Sequence, residues 1–229
     1  MKRVLFVTGT DTGVGKTTVS VALLAAWAKT GRVVRPLKPI ETGMTDHTEG
    51  SDAARLAAAV GLRENDTMLW RFALPAAPES AAMAEGKRID LGQLIAAIQQ
   101  LPGENLLIEG AGGLLVPVAP GVVMADLAQA LGARLLIVGR TRLGTINHTL
   151  LTLAESQRRG LPVCALILNR LGEEVGPQEA DTAARIAAHG GVGPLGPFPF
   201  SRQQDPATLA ALAAQHLPID ALFERAFLP

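Results

Sequence analysis

The chain has a single cysteine, Cys164, so no intramolecular disulfide can form. Lying within the apolar run LPVCALILN, it reads as a core-filling thiol, and a chain without disulfides is expected in the cytoplasm. Charge of one sign is also missing: Lys and Arg number 21, Asp and Glu 21. That balance removes the electrostatic case for nucleic acid or an acidic membrane surface and leaves a small molecule as the expected partner. Long hydrophobic runs are absent from the start of the chain. The apolar stretch in MKRVLFVTGT is only about five residues long and enters a glycine-rich loop, so it is neither a signal peptide nor a membrane span. The four histidines, His47, His148, His189 and His216, show no metal-ligand spacing. No repeat, low-complexity tract or linker divides the sequence. Its 229 residues, 48% of them hydrophobic, are therefore expected to form one domain, residues 1–229.

What is present is alternation. Short β-branched or Leu-rich runs (RVLFVT, RVVRPL, NLLIEG, ARLLIVG, LPVCALILN) are separated by longer Ala-rich stretches such as TVSVALLAAWAKT. This is βαβ periodicity. The runs are apolar at successive rather than alternate positions, as strands covered by helices on both faces must be. The expected fold is a single-domain α/β P-loop NTPase fold, with a mostly parallel, doubly wound sheet flanked by helices. Ligands of such sheets collect at the carboxyl ends of the strands. Pro- and Gly-containing segments, HGGVGPLGP among them, read as turns. Beyond Phe200, Ala- and Leu-rich stretches predict two short helices of structural character.

Directly after the first strand comes Gly9-Thr10-Asp11-Thr12-Gly13-Val14-Gly15-Lys16-Thr17-Thr18, opening a helix near Thr17. A strand, glycine-rich loop and helix in that order form a nucleotide phosphate loop. Backbone N–H groups turn toward the phosphates, Lys16 reaches the outer ones, and the Thr17 hydroxyl can bind Mg²⁺. The loop is a variant of GxxxxGK[ST]: Thr10 stands where the first glycine would be, and Gly9 lies one place earlier.

Three further segments belong to the same rim. The strand ending at Ile108 is followed by Glu109 and then Gly110-Ala111-Gly112-Gly113. A carboxylate there suits a Mg²⁺ ligand, and the small residues let the backbone approach a γ-phosphate. Asp52, in GSDAA, opens a helix, where its spacing fits capping and metal binding equally. A second strand over Val33–Leu37 delivers Lys38-Pro39-Ile40-Glu41-Thr42-Gly43, and Pro39 biases Lys38 toward extended backbone. Two lysines on one rim suit a reaction that builds negative charge twice. Finally, Leu143-Gly144-Thr145-Ile146-Asn147-His148 starts a helix whose N–H groups at Thr145, Ile146 and Asn147 could hold a carboxylate, although Asn147 could equally be a cap.

Taken together, GTDTGVGKT, KPIETG, EGAGG and LGTINH, in this order, resemble the dethiobiotin synthetases from about Val4 to Phe200. The resemblance implies the penultimate step of biotin synthesis. ATP drives carboxylation of 7,8-diaminononanoate by CO₂ (or bicarbonate) through an N-carbamate and a carbamic-phosphoric anhydride, with ring closure releasing ADP and phosphate. It further implies that Gly13, Val14, Gly15, Lys16, Thr17 and Thr18 cradle the phosphates, with Gly110, Ala111 and Gly112 beside them. Thr17, Asp52 and Glu109 would hold Mg²⁺. Lys38, Lys16 and Thr12 would act on the carbamate and its phosphorylation, with Thr12 and Thr42 bonding the substrate. Asn169, Arg170, Phe198, Pro199 and Phe200 would lie near the nucleotide base. The diamine's carboxylate would rest on Thr145, Ile146 and Asn147 of a partner subunit, implying a homodimer with its substrate site at the interface.

Two positions depart from the family pattern: Glu79 stands where relatives often have histidine, and Gly13 where they often have an acidic residue. A partitioning or septum-positioning ATPase shares the fold but resembles KGGxGKT, with lysine at the place of Asp11, and lacks KPIETG. An amidating synthetase of the cobyrinate type would need a nucleophilic cysteine, and Cys164 lies mid-strand.

Overall fold

A computed structural model describes residues 2–44, 50–174 and 179–228; His47 lies outside them. In chain order the elements are β1 (Arg3–Gly9), α1 (Lys16–Lys29), β2 (Arg35–Thr42), α2 (Asp52–Ala58), β3 (Met68–Phe72), α3 (Pro78–Ala84), α4 (Leu91–Gln100), β4 (Asn105–Gly113), β5 (Pro117–Ala119), β6 (Val122–Val123), α5 (Met124–Ala130), β7 (Arg134–Arg140), α6 (Thr145–Arg158), β8 (Val163–Asn169), α7 (Glu179–Gly190), β9 (Leu195–Phe198), α8 (Pro206–His216) and α9 (Ile219–Phe227). Seven strands form one sheet in the order β3-β2-β4-β1-β7-β8-β9, and every pairing in it is parallel. β5 and β6 make a separate antiparallel pair. This is the P-loop α/β fold that the sequence predicts, and among the described residues no helix is long and apolar enough to cross a membrane.

The continuous apolar runs are explained by two cores, one on each face. Side chains alternate across a strand, so Leu5 and Val7 of β1 join Leu107, Leu136, Val138 and Ile167 on one face, beneath α1, α8 and α9. Val4 and Phe6 join Leu106, Ile108, Leu135, Ile137, Leu166 and Leu168 on the other, beneath residues of α3, α4 and α5. Helix α1 is buried from Lys16 to Trp27 with Thr18 alone partly exposed, because α8 lies along it and α9 closes its far end. The two C-terminal helices are thus structural, as expected.

The sheet departs from expectation at its margins. β2 begins at Arg35 and runs to Thr42 rather than ending at Leu37. Its residues Arg35, Pro36 and Leu37 pair with β4, whereas Lys38, Ile40, Glu41 and Thr42 pair with β3. The two strands part after the Leu37↔Ile108 pair, so Lys38 and Glu109 are the next residue on each side of the split. Pro39 has no N–H to continue a ladder there. β4 likewise continues past Glu109 through Gly113, with a register shift against β1 between Val7 and Gly9. β9 occupies part of the segment expected as a turn; it is an edge strand, where Pro197 is tolerated.

Candidate active site

The parting of β2 from β4 opens a cleft of about 330 Å³ beside the phosphate loop. Thr12, Gly13, Gly15, Lys16, Thr17, Thr18, Lys38, Thr42, Asp52, Ala111 and Gly112, all expected at the site, line it together with Ile40, Glu41 and Arg55. Gly15 caps α1 in the left-handed region at φ 88°. A Cβ on it would meet Asn169 Nδ2 at 2.1 Å, so both the conformation and the approach require glycine. Val14 is wholly buried and can offer a ligand only its backbone.

Below the loop lies a polar cluster, buried at Lys38, Glu109, Thr17 and Ser20 and partly exposed at Asp52. Lys38, 5% exposed, places Nζ 2.8 Å from Asp52 Oδ2 and 2.8 Å from Glu109 Oε1. The Thr17 hydroxyl lies 2.7 Å from Asp52 Oδ1 and 2.8 Å from the same Glu109 Oε1. Burial works against the Lys38 charge, but Glu109 and Asp52 outweigh it and raise its pKa above the ordinary lysine value. Asp52 shows the reverse: burial opposes ionisation, and the Lys38 charge and hydrogen bond hold its carboxyl below the usual range. Lys16 is held below the ordinary lysine value by burial, with Glu109 opposing and Lys38 adding to the effect.

The arrangement fits a divalent cation. One hydroxyl has one proton, so Thr17 can donate to only one of the two carboxylate oxygens that crowd it. The other contact brings two lone-pair oxygens together, an arrangement that a shared cation relieves. Hydroxyl and carboxylate oxygens are the hard ligands that Mg²⁺ takes.

Asp52 is not the cap of α2. Ser51 is, its hydroxyl accepting from Ala54 N–H at 2.9 Å, which frees the Asp52 side chain for Lys38 and Thr17. Two residues of this cluster were not singled out by the sequence. Ser20, one helical turn beyond Thr17 and 0% exposed, donates to Glu109 Oε2 at 2.9 Å and fixes that carboxylate's rotation. Glu41 accepts from the N–H groups of Asp52 and Ala53 at 2.6 and 3.1 Å, holding the start of α2 against β2. The motif KPIETG contains Glu41, but a carboxylate that satisfies another segment's backbone leaves no local pattern.

The other expected residues lie outside this cleft. Asn169 packs against the phosphate loop, donating from Nδ2 to Val14 O at 3.0 Å, while its buried Oδ1 has no partner. Arg170 is paired with Glu179 at 2.7 Å. Phe198 is fully buried, and Phe200 is 37% exposed. Thr145, Ile146 and Asn147 begin α6 behind Gly144, which caps it at φ 90°. The Thr145 N–H is taken by Arg142 O at 3.1 Å; those of Ile146 and Asn147 are first-turn donors with no intrahelical acceptor. A second depression of about 440 Å³, lined by residues including Thr10, Asp11, Thr12, Leu115, His148 and Leu151, lies between the loop and α6. Asp11 accepts from Thr12 N–H at 2.7 Å and faces Arg140 at 3.5 Å. The Cys164 thiol is pushed up to about 11 by burial, an inert group.

Comparison with known proteins agrees with the geometry. A family profile described as an AAA domain matches residues 3–208. The ATP-dependent dethiobiotin synthetase of Anaeromyxobacter dehalogenans is 46% identical over 191 residues, covering 81% of this chain and 84% of that protein. The Mycobacterium avium enzyme of the same name is 42% identical over 215 residues, covering 92% and 90%. Among solved structures, a ParA family ATPase from Chlorobium tepidum superposes with a TM-score of 0.58 at 13% identity, covering 100% of this chain and 99% of that one. The MinC:MinD complex of Aquifex aeolicus gives 0.56 at 16% identity over 96% and 94%. At those identities the structures share the fold alone, whereas the sequence matches extend over four-fifths or more of the chain: it belongs to the ATP-dependent dethiobiotin synthetase family.

Proposed function

We propose that this protein is a ligase that uses ATP, Mg²⁺ and CO₂ to convert 7,8-diaminononanoate into dethiobiotin, with release of ADP and phosphate. The observation that carries the reading is Lys38, a buried ammonium at the split between β2 and β4, in one cleft with Lys16 and the phosphate loop. A nucleotide switch needs the loop; a second lysine in the cleft suits an anionic acceptor facing the γ-phosphate.

In the proposed sequence an amine of the substrate attacks CO₂ and loses a proton, giving a carbamate. A carbamate oxygen attacks the γ-phosphorus and ADP departs. The second amine then attacks the carbonyl carbon of the anhydride, expels phosphate, gives up its proton to the departing phosphate and closes the ring. Carbamate, γ-phosphate and departing phosphate are all anions, so positioning and charge stabilisation carry the chemistry. Lys38 and Lys16 supply fixed positive charge on two sides of the cleft, and Thr12 and Thr42 bond the substrate. Gly13 to Thr18 cradle the phosphates, with Gly110 to Gly112 beside them. Thr17, Asp52 and Glu109 would hold Mg²⁺, which neutralises phosphate oxygens when bound. Asn169 is suited to adenine because its orphan Oδ1 can accept from the base's amino group, with Arg170 and Phe198 to Phe200 nearby. The test is purified protein supplied with diamine, bicarbonate and MgATP. ADP release that depends on the diamine is expected, and ADP release indifferent to it would sink the ligase reading.

We place the enzyme in the cytoplasm as a homodimer. Exposed Leu143 and Leu151, 90% and 62% accessible, flank the first turns of α6, and a partner covering them would bring its Ile146 and Asn147 N–H groups to the diamine's carboxylate. Mixing an inactive Lys38→Ala chain with an Asn147→Pro chain, inactive because it lacks that N–H, is then expected to restore part of the activity. Mixed dimers that form without any rescue would show that each site is self-contained.

A further inference from the structure

The charges around the base of the cleft already balance: Lys16, Lys38 and Arg55 against Glu41, Asp52 and Glu109. Every carboxylate oxygen among them is engaged. Glu109 Oε2 receives Ser20, Glu109 Oε1 and Asp52 Oδ2 receive Lys38, and the single Thr17 proton is left for Asp52 Oδ1. The Lys38 ammonium also lies 3.5 Å from Gly110 O. Lys38 thus bridges one oxygen of each carboxylate expected to hold the metal.

We propose that Lys38 is the site's resident cation, which a divalent metal must displace, so that the metal is admitted only with a nucleotide polyphosphate and its entry turns Lys38 toward the substrate. This rests on the assignment of Thr17, Asp52 and Glu109 as metal ligands. The argument is one of charge. A free divalent ion entering this balanced site, buried on its Lys38 and Glu109 side, would leave two positive charges uncompensated, and buried charge without a partner is costly. An ion that arrives on a polyphosphate brings its own negative charge. The displaced ammonium then has the anions of the cleft as its new partners, with the four-carbon stem of lysine giving it reach. Lys38 in this role is a positioning residue for the metal before it is a catalytic one for the carbamate.

Mn²⁺ is the probe, with unbound ion read by electron paramagnetic resonance in the intact protein. Wild-type protein is expected to bind it weakly alone and tightly with a non-hydrolysable ATP analogue. Lys38→Met removes the competing cation and leaves two carboxylates facing each other, so it is expected to bind Mn²⁺ without nucleotide about a hundredfold more tightly than wild type. Lys38→Arg, which keeps the charge, should remain weak, and Glu109→Gln added to Lys38→Met should abolish the gain. Wild-type protein binding Mn²⁺ alone as tightly as with nucleotide would overturn the proposal whatever the fate of the variants. So would tight binding by Lys38→Arg, or a gain in Lys38→Met that survives Glu109→Gln, since the ion would then sit elsewhere. Failure here leaves diamine-dependent ADP release by the wild type untouched, so the ligase reading and this one fail separately.

Discussion

Lys38→Ala is expected to lower the diamine-dependent kcat by about 10²–10³-fold or more, the effect of removing one preorganised electrostatic contact to a developing anion, while ATP affinity stays near that of the wild type. The separation follows from where the two lysines stand. Lys16 belongs to the phosphate loop and opens α1, so Lys16→Ala should weaken nucleotide binding itself. Lys38 comes from β2, and its ammonium faces Asp52 and Glu109. Isothermal titration with the ATP analogue, run beside turnover measurements on both variants, distinguishes them. Loss of nucleotide affinity in Lys38→Ala comparable to that in Lys16→Ala would show that Lys38 is a phosphate-loop auxiliary. Its charge is present throughout any practical assay range. Because its folded pKa is raised, its contribution to stability is complete below the ordinary lysine value of about 10.4 and is lost only as pH rises through the folded value. Asp52, with a depressed value, contributes above the ordinary carboxylate range and loses that contribution as pH falls through the folded one. Acid and alkali therefore undo the same ion pair from opposite ends.

The phosphate loop was legible because its chemistry is contiguous: Gly13, Gly15, Lys16 and Thr17 act through their own backbone and the helix they open. The strands of the sheet's centre were legible for a similar reason, since burial on both faces makes them apolar without interruption. What could not be read locally is what depends on a distant partner. The end of β2 was misplaced because Lys38 to Thr42 are held as a strand by β3, a short edge strand whose sequence, MLWRF, resembles no buried run. β9 was missed because Gly196 and Pro197 are turn residues everywhere except at an edge. Asp52 remained divided between cap and ligand until Ser51 proved to be the cap. Ser20 looked like one more small residue of a buried helix; only the approach of Glu109 from β4 gives it a task. The residues expected to touch ligand were thus visible in the sequence, and those that hold them in place were mostly not.

The same division governs the largest expected loss of stability, which lies at the end of α1 remote from the phosphates. Trp27 is 0% exposed and donates from Nε1 to Ile219 O at 3.0 Å. The rings of Phe223 and Phe227 meet it edge-on, with centroids 5.8 and 5.7 Å away, and Arg32 covers Phe223 from outside at 4.8 Å. This cluster fastens α9, the last helix of the chain, to the helix that carries Lys16 and Thr17. Trp27→Ala would remove the largest fully buried side chain among the described residues, leave a cavity between α1 and α9, and remove the indole hydrogen bond to the Ile219 carbonyl. Truncations of this kind cost about 3–5 kcal/mol, which for a chain of this size corresponds to a melting temperature lower by roughly 10 °C. Phe223→Leu, which keeps most of the volume and the Trp27 hydrogen bond, should cost less than half as much. Circular dichroism melts of the three proteins check this. A shift under about 2 °C for Trp27→Ala would mean that the cluster closes around the missing ring and that α9 is held by β1 and β8 instead. At low temperature, where the variant is folded, the phosphate loop lies about three turns of helix away, and nucleotide affinity should be unchanged. The two ends of α1 would then be separable by experiment, one end setting chemistry and the other stability.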